Sequence, residues 1–134
     1  MRRTLSCLVL LLAGCETSEV AQATVEFRSM ESQCIDPCPG GDFYGSSYLR
    51  LTVTAGDEPL RSSVRWLHFS RRDEVLAEEA VALEPGESTS VSFSLQTGCP
   101  TVSDEPRDVT VVIELDGEEF ELDGEESVTM GYDC

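Results

Sequence analysis

The sequence predicts an all-β fold, a single antiparallel sandwich of about seven strands. Three observations predict it: apolar residues alternate with polar ones along most of the chain, turn residues interrupt that alternation at short intervals, and no stretch of helical period outcompetes it. "ATVEFRS" sets Ala23, Val25 and Phe27 on one side. "YLRLTVTA" opposes Leu49, Leu51 and Val53 to Arg50, Thr52 and Thr54. "VSFSL" opposes Val91, Phe93 and Leu95 to serines, and "DVTVVIEL" aligns Val109, Val111, Ile113 and Leu115. "SSVRWLHFS" is apolar on both parities, and Val64 with Trp66 is the expected inward pair. "VLAEEAVAL" has helical composition, but its place between two strands makes it a strand. The expected strands are 23–30, 48–56, 62–70, 74–83, 89–97, 108–115 and 118–132.

Two turns punctuate this pattern. Pro85-Gly86 lies in "EPGES", and Asp116-Gly117 lies between two alternating runs. The second is a hairpin signal, because both central residues must take a positive φ that Asp and Gly tolerate. The stretch "LEPGESTSVSFSL", residues 83–95, resembles a turn and strand of bacterial immunoglobulin-like and fibronectin type III-like domains. Trp66 on the third strand fits the core of such a domain. The resemblance implies an immunoglobulin-like sandwich but names no activity, since that fold hosts adhesion, binding and scaffolding alike. The cysteine spacing departs from antibody domains.

The front of the chain has a different character. Arg2 and Arg3 precede an uncharged, mostly apolar run of ten residues from Leu5 to Gly14. A membrane-spanning helix needs roughly 18 or more apolar residues, so this run reads as a secretory signal. Its end, Leu12-Ala13-Gly14-Cys15, resembles the lipobox of bacterial lipoproteins. The resemblance implies cleavage before Cys15 and a diacylglycerol, with its palmitate-type chains, on the Cys15 thiol. The membrane is then a partner through that lipid. Glu16 stands where enteric lipoproteins retained in the inner membrane carry Asp, which implies the outer membrane. The expected organisation is a signal at 1–14, lipidated Cys15 with a tether at 15–22, and the sandwich at 23–134. Residues 16–22 reach at most about 23 Å, so the domain would sit close to the membrane.

Charge narrows the partners. After Cys15 the chain carries seven arginines against 26 acids, a net −19. Such a chain repels nucleic acid and anionic headgroups, so no nucleic acid is expected. It contains no Lys, which excludes a Walker-type phosphate loop and Schiff-base chemistry. Without the signal's Cys7 and the lipidated Cys15, four cysteines remain: Cys34, Cys38, Cys99 and Cys134. In an exported chain they read as two disulfides with three possible connectivities, of which Cys34–Cys38 with Cys99–Cys134 is favoured.

Catalytic signals are sparse. His68, the single histidine, sits in a strand beside Trp66 and Phe69, a structural setting. No GxSxG elbow supplies a nucleophile. Cys34, Cys38, Cys99 and His68 lack the second close pair of a zinc site. The tandem "ELDGEEFELDGEES" at 114–127 is dense in carboxylates and raises a calcium-dependent adhesion module on Asp116, Glu118, Asp123 and Glu125. It lacks the alternation of an EF-hand loop, and a hairpin with Phe120 and Leu122 inward explains it without an ion. No metal or cofactor is expected.

Topology supplies the last expectation. With alternating directions, strands one, three, five and seven end at one pole, which gathers the four cysteines away from the tether. The long loop 31–47 at that pole presents Phe43 and Tyr44, and Arg71 and Arg72 follow the third strand. Aromatics and arginines dominate binding interfaces. The expected function is a non-enzymatic, lipid-anchored envelope module that binds another envelope protein or surface ligand through Phe43, Tyr44, Arg71 and Arg72. The alternatives are the calcium module and a small hydrolase or redox enzyme.

Overall fold

The structure, a computed structural model, describes residues 23–37, 44–97 and 105–132. The protein is all-β, as the alternation predicts. Its strands are β1 (Ala23–Asp36), β2 (Tyr44–Ala55), β3 (Leu60–Leu67), β4 (Val75–Leu83), β5 (Ser88–Thr97), β6 (Arg107–Leu115) and β7 (Glu118–Tyr132). They form one sheet in the order β4-β3-β6-β7-β1-β2-β5. The sheet curls until its distant strands meet: Trp66 of β3 and Phe93 of β5 stack with ring centroids 6.1 Å apart.

Each inner position follows from strand parity. Leu49, Leu51 and Val53 of β2 face Val91 and Phe93 of β5 and Val111 and Ile113 of β6 in one closed core. Val64 and Trp66 point inward as expected. Each fully buried Leu or Val contributes roughly 1.5–3 kcal/mol over its exposed state. The turns behave as their residues require. Pro85 and Gly86 occupy the centre of a turn closed by the Glu87 amide on the Glu84 carbonyl at 3.0 Å, with Gly86 at φ 77°. Asp116 and Gly117 both take positive φ, 53° and 84°, and join β6 to β7 as a two-residue hairpin.

The architecture differs from two separate antiparallel sheets in one respect. β1 pairs with β2 antiparallel along its whole length, and its second half, Met30–Asp36, also pairs with β7 in parallel. That parallel pair stitches a β4-β3-β6-β7 half to a β1-β2-β5 half. A bulge makes the stitch possible. The register shifts between Phe27 and Ser29, leaving Arg28 as the extra residue. A bulge bends its strand and raises the twist. It also exchanges the faces, so inward residues run Ala23, Val25 before it and Met30, Ser32, Cys34 after it.

The long loop expected at 31–47 is largely strand. Residues 31–36 extend β1 and 44–47 begin β2, paired from Glu31↔Tyr48 to Ile35↔Tyr44. Their polar composition hid them, because the second half of this hairpin has a polar interior. The second Asp-Gly, at 123–124, is not a turn. It lies within β7, paired with Thr110 and Val109, and a Cβ at Gly124 would overlap the Phe27 ring. Gly124 is where β7 passes under that ring.

Candidate functional site

The expected distal patch is not assembled as a cluster. Tyr44 is exposed at the start of β2, in the row of Ile35 and Gly131. Arg72 belongs to another part of the molecule. Its guanidinium forks between Glu119 Oε1 at 2.8 Å and Glu121 Oε2 at 2.9 Å, and it lies over the Phe69 ring. The ten residue steps from Glu121 to Gly131 put roughly 30 Å of strand between those rows. Arg71 pairs locally with Glu74 at 2.9 Å. Phe43, Cys15, Cys38, Cys99 and Cys134 lie outside the described residues. Cys34 is fully buried in the row of Gly45 and Met130.

Arg72 has structural work to do. Leu67 and Val112 point to the outer side of the sheet yet are buried, apart from the main core. The segment 68–74 turns back toward β7, where Arg72 reaches Glu121 in the row of Val112. His68 anchors it by accepting the Ser70 and Arg71 amides on Nδ1 at 3.1 and 3.2 Å, while its own amide donates to the Glu74 carbonyl. The histidine is therefore a turn brace.

The calcium candidates do not converge. Asp116 and Glu118 sit at the hairpin tip, whereas Asp123 lies along β7 and accepts a 2.7 Å hydrogen bond from Thr110. Among the described residues, no three His, Cys, Asp or Glu side chains are gathered for an ion.

Two features were not foreseen. The first is inside the stitch between the halves. Glu126 is inward on β7 and 1% exposed. Arg107 Nε donates to its Oε1 at 2.6 Å, Ser32 Oγ donates to its Oε2, and Ser32 and Ser47 share a 2.8 Å hydrogen bond. A buried carboxylate is tolerated only when paired and hydrogen-bonded, and this one is both. Parity could have found it: Phe120 and Leu122 inward imply Gly124, Glu126 and Val128 inward too.

The second is a groove of about 360 Å³ on the outer face of β1-β2-β5. Its floor is a cross-strand lattice in which Tyr48 stands between Glu31 and Ser94, and Arg50 stands between Ser29 and Ser92. Tyr48 is 45% exposed, and among the described residues no acid pairs with Arg50. Gln33 and Thr129 complete one wall. The volume is in the range of small-ligand clefts, and the Tyr, Ser and Arg composition is that of adaptable binding surfaces. The alternation already set Arg50 outward, but the groove appears only when three strands align.

The opposite outer face, β4-β3-β6-β7, is an ion lattice. Arg65 Nε reaches Glu78 at 2.8 Å and its Nη1 reaches Glu114 at 3.1 Å. The hydrogen bond and charge of Arg65 hold the Glu78 carboxyl below its ordinary range, and Glu78 with Glu114 holds the guanidinium above its own. No protein-family model and no characterised protein matches this chain.

Proposed function

We propose that the protein is a non-enzymatic binding module of the bacterial cell envelope, lipid-anchored through Cys15, that engages a partner through the outer face of β1-β2-β5. The observation that carries this reading is the segregation of charge. In a chain with 26 acids, the strand residues turned outward on β1, β2 and β5 include just Glu26 and Glu31, and Glu26 is paired with Arg28 at 3.2 Å. The rest of that face is hydroxyls, glutamines, Ile35, Tyr44, Tyr48 and Arg50. A solubilising charge kept off one face leaves that face able to meet a partner without stripping water from carboxylates. The lipobox resemblance supports the anchor, and Glu16 in place of Asp supports the outer-membrane placement.

The test compares retention of envelope components on immobilised residues 16–134. Tyr48→Ala with Arg50→Glu removes the retained partner, weakening it about tenfold or more as loss of anchor residues does. Arg71→Ala with Arg72→Ala leaves it bound. Identical retention by both double variants rejects the groove. In cells, Cys15→Ser takes up no labelled fatty acid and stays uncleaved or soluble. Stable attachment needs two or more acyl chains, each buried CH₂ contributing about 0.8 kcal/mol. Labelling that persists in the variant removes the anchor from the reading.

A further inference from the structure

The two ends of the sheet, β4 and β5, are edge strands, and the chain treats them differently. They follow one another through the Glu84–Glu87 turn but share no hydrogen-bonded ladder. β4 is defended. Glu78 and Glu79 sit at its centre, and its pairing with β3 slips between Trp66 and Leu67. Charges and irregularities of this kind prevent a foreign strand from pairing. β5, "STSVSFSLQT", has ten residues with no charge, no Pro and no Gly. It pairs with β2 without a single register shift, from Gly45↔Thr97 to Thr54↔Ser88. A regular, uncharged edge about 33 Å long is a template for another strand.

We infer that β5 receives an extended basic polypeptide segment, which adds to its free edge as an eighth strand. Hydrogen bonds to the backbone supply the affinity in this mode, and alternate side chains supply the selectivity. The charge of the segment follows from Glu79. Its partner across the ladder, Val64, is fully buried on the inner side, so Glu79 shares that side. Yet Glu79 is exposed, on an edge strand that shares no ladder with β5. A strand laid on β5 turns alternate side chains to the inner side that Glu79 shares, where Lys or Arg answers a carboxylate. A second copy of the chain fits less well: β5 carries no cation, and each copy is strongly acidic, with 26 Asp and Glu. The inference rests on the reading of the protein as a binding module but not on the Tyr48–Arg50 groove.

The probes are three labelled ten-residue peptides of alternating Thr and Val: one with two Arg on one parity, one with Glu in their place, and one with Arg retained and Pro at alternate positions. Binding is followed by fluorescence anisotropy and by amide hydrogen exchange of the intact domain. The Arg peptide binds and slows exchange across 88–97, while the Pro and Glu peptides do not. Glu79→Gln weakens the Arg peptide roughly two- to fivefold, the factor of an exposed ion pair, and Glu79→Arg reverses the preference to the Glu peptide. Tyr48→Ala with Arg50→Glu leaves peptide binding unchanged, which separates failure of the groove from failure of the edge. The inference is overturned by protection that appears away from β5, or by equal binding of the Pro peptide. It is also overturned if β5 amides facing away from β2 are already protected in the free chain, or if sedimentation finds a β5-mediated dimer.

Discussion

The outer faces of the two halves obey the same strand period and carry opposite chemistry. On β4-β3-β6-β7 the outward residues include Glu78, Glu114, Glu119, Glu121, Asp123 and Glu125, and the arginines there are bound to them. On β1-β2-β5 the outward residues are mostly Ser, Thr and Gln, and Arg50 stands among serines. Burial dictates the inner side of both halves, so Leu, Val and Phe recur there. The outer sides are free to differ, and under the proposed function that difference marks the binding face. Exposure alone does not identify a binding arginine: Arg71 and Arg50 are both exposed, but the first answers Glu74 and the second answers no acid among the described residues.

The parallel β1–β7 pair joins the two halves, and this stitch can be cut. Arg107→Ala leaves Glu126 buried with Ser32 as its remaining donor. Breaking a buried pair from one side costs about 3 kcal/mol, which for a domain of this size lowers the melting temperature by roughly 10 °C or more. Calorimetry should show one transition at lower temperature. Two separated transitions would mean that the faces belong to independently stable halves. Gly124→Ala acts at the same junction with a smaller effect, about 2 kcal/mol, because the methyl displaces the Phe27 ring from its seat. Phe27→Leu in the same chain makes room and restores part of the loss in chemical denaturation.

Most strand positions were legible, and the reason is local. Wherever the interior is apolar, as along Leu49–Val53 or Val109–Leu115, alternation marks both the strand and its inner face. The hairpin at Asp116-Gly117 was legible because its φ angles restrict the residues that fit. The hidden parts are those where local pattern stops reporting depth. Residues 31–36 and 44–47 read as loop because their inward side holds Ser32 and Ser47 instead of apolar groups. The parallel pairing of β1 with β7 joins residues 96 apart, such as Met30 and Glu126, and no short window contains it. The placement of Arg72 is hidden for a related reason: alternating strand directions assign it to the pole where β1 and β7 end, whereas its guanidinium pairs with Glu119 and Glu121 near the start of β7.

Arg72→Ala separates the two kinds of arginine. It releases the 68–74 segment from β7 and leaves Glu119 and Glu121 as unscreened neighbours on one face. The melting temperature falls by a few degrees, less than in either seam variant, and hydrogen exchange quickens in 68–74. Partner retention is unchanged. Arg50→Glu does the reverse, with an unaltered melting temperature and lost retention. A variant that loses both would dissolve the distinction between the faces.

The smallest effect belongs to the Arg65 lattice. Arg65 lowers the pKa of Glu78 in the folded state, first by a hydrogen bond and then by its charge. A carboxyl with a folded pKa below its unfolded one stabilises the fold at pH above the unfolded value, about 4.3 for Glu. That contribution is lost as pH falls through the lowered folded value. Net repulsion among the acids also relaxes on acidification, so the melting temperature of the wild type alone would mix two opposing trends. The difference between wild type and Glu78→Gln isolates the pair, since both share the remaining carboxylates. At pH 7 the wild type melts slightly higher. The gap narrows below the ordinary carboxylate range and closes in strong acid, and added salt narrows it at pH 7 as well, because the pair lies at the surface. A gap that widens with acid would place Glu78 outside the lattice and leave Glu114 as the sole partner of Arg65 among the described acids.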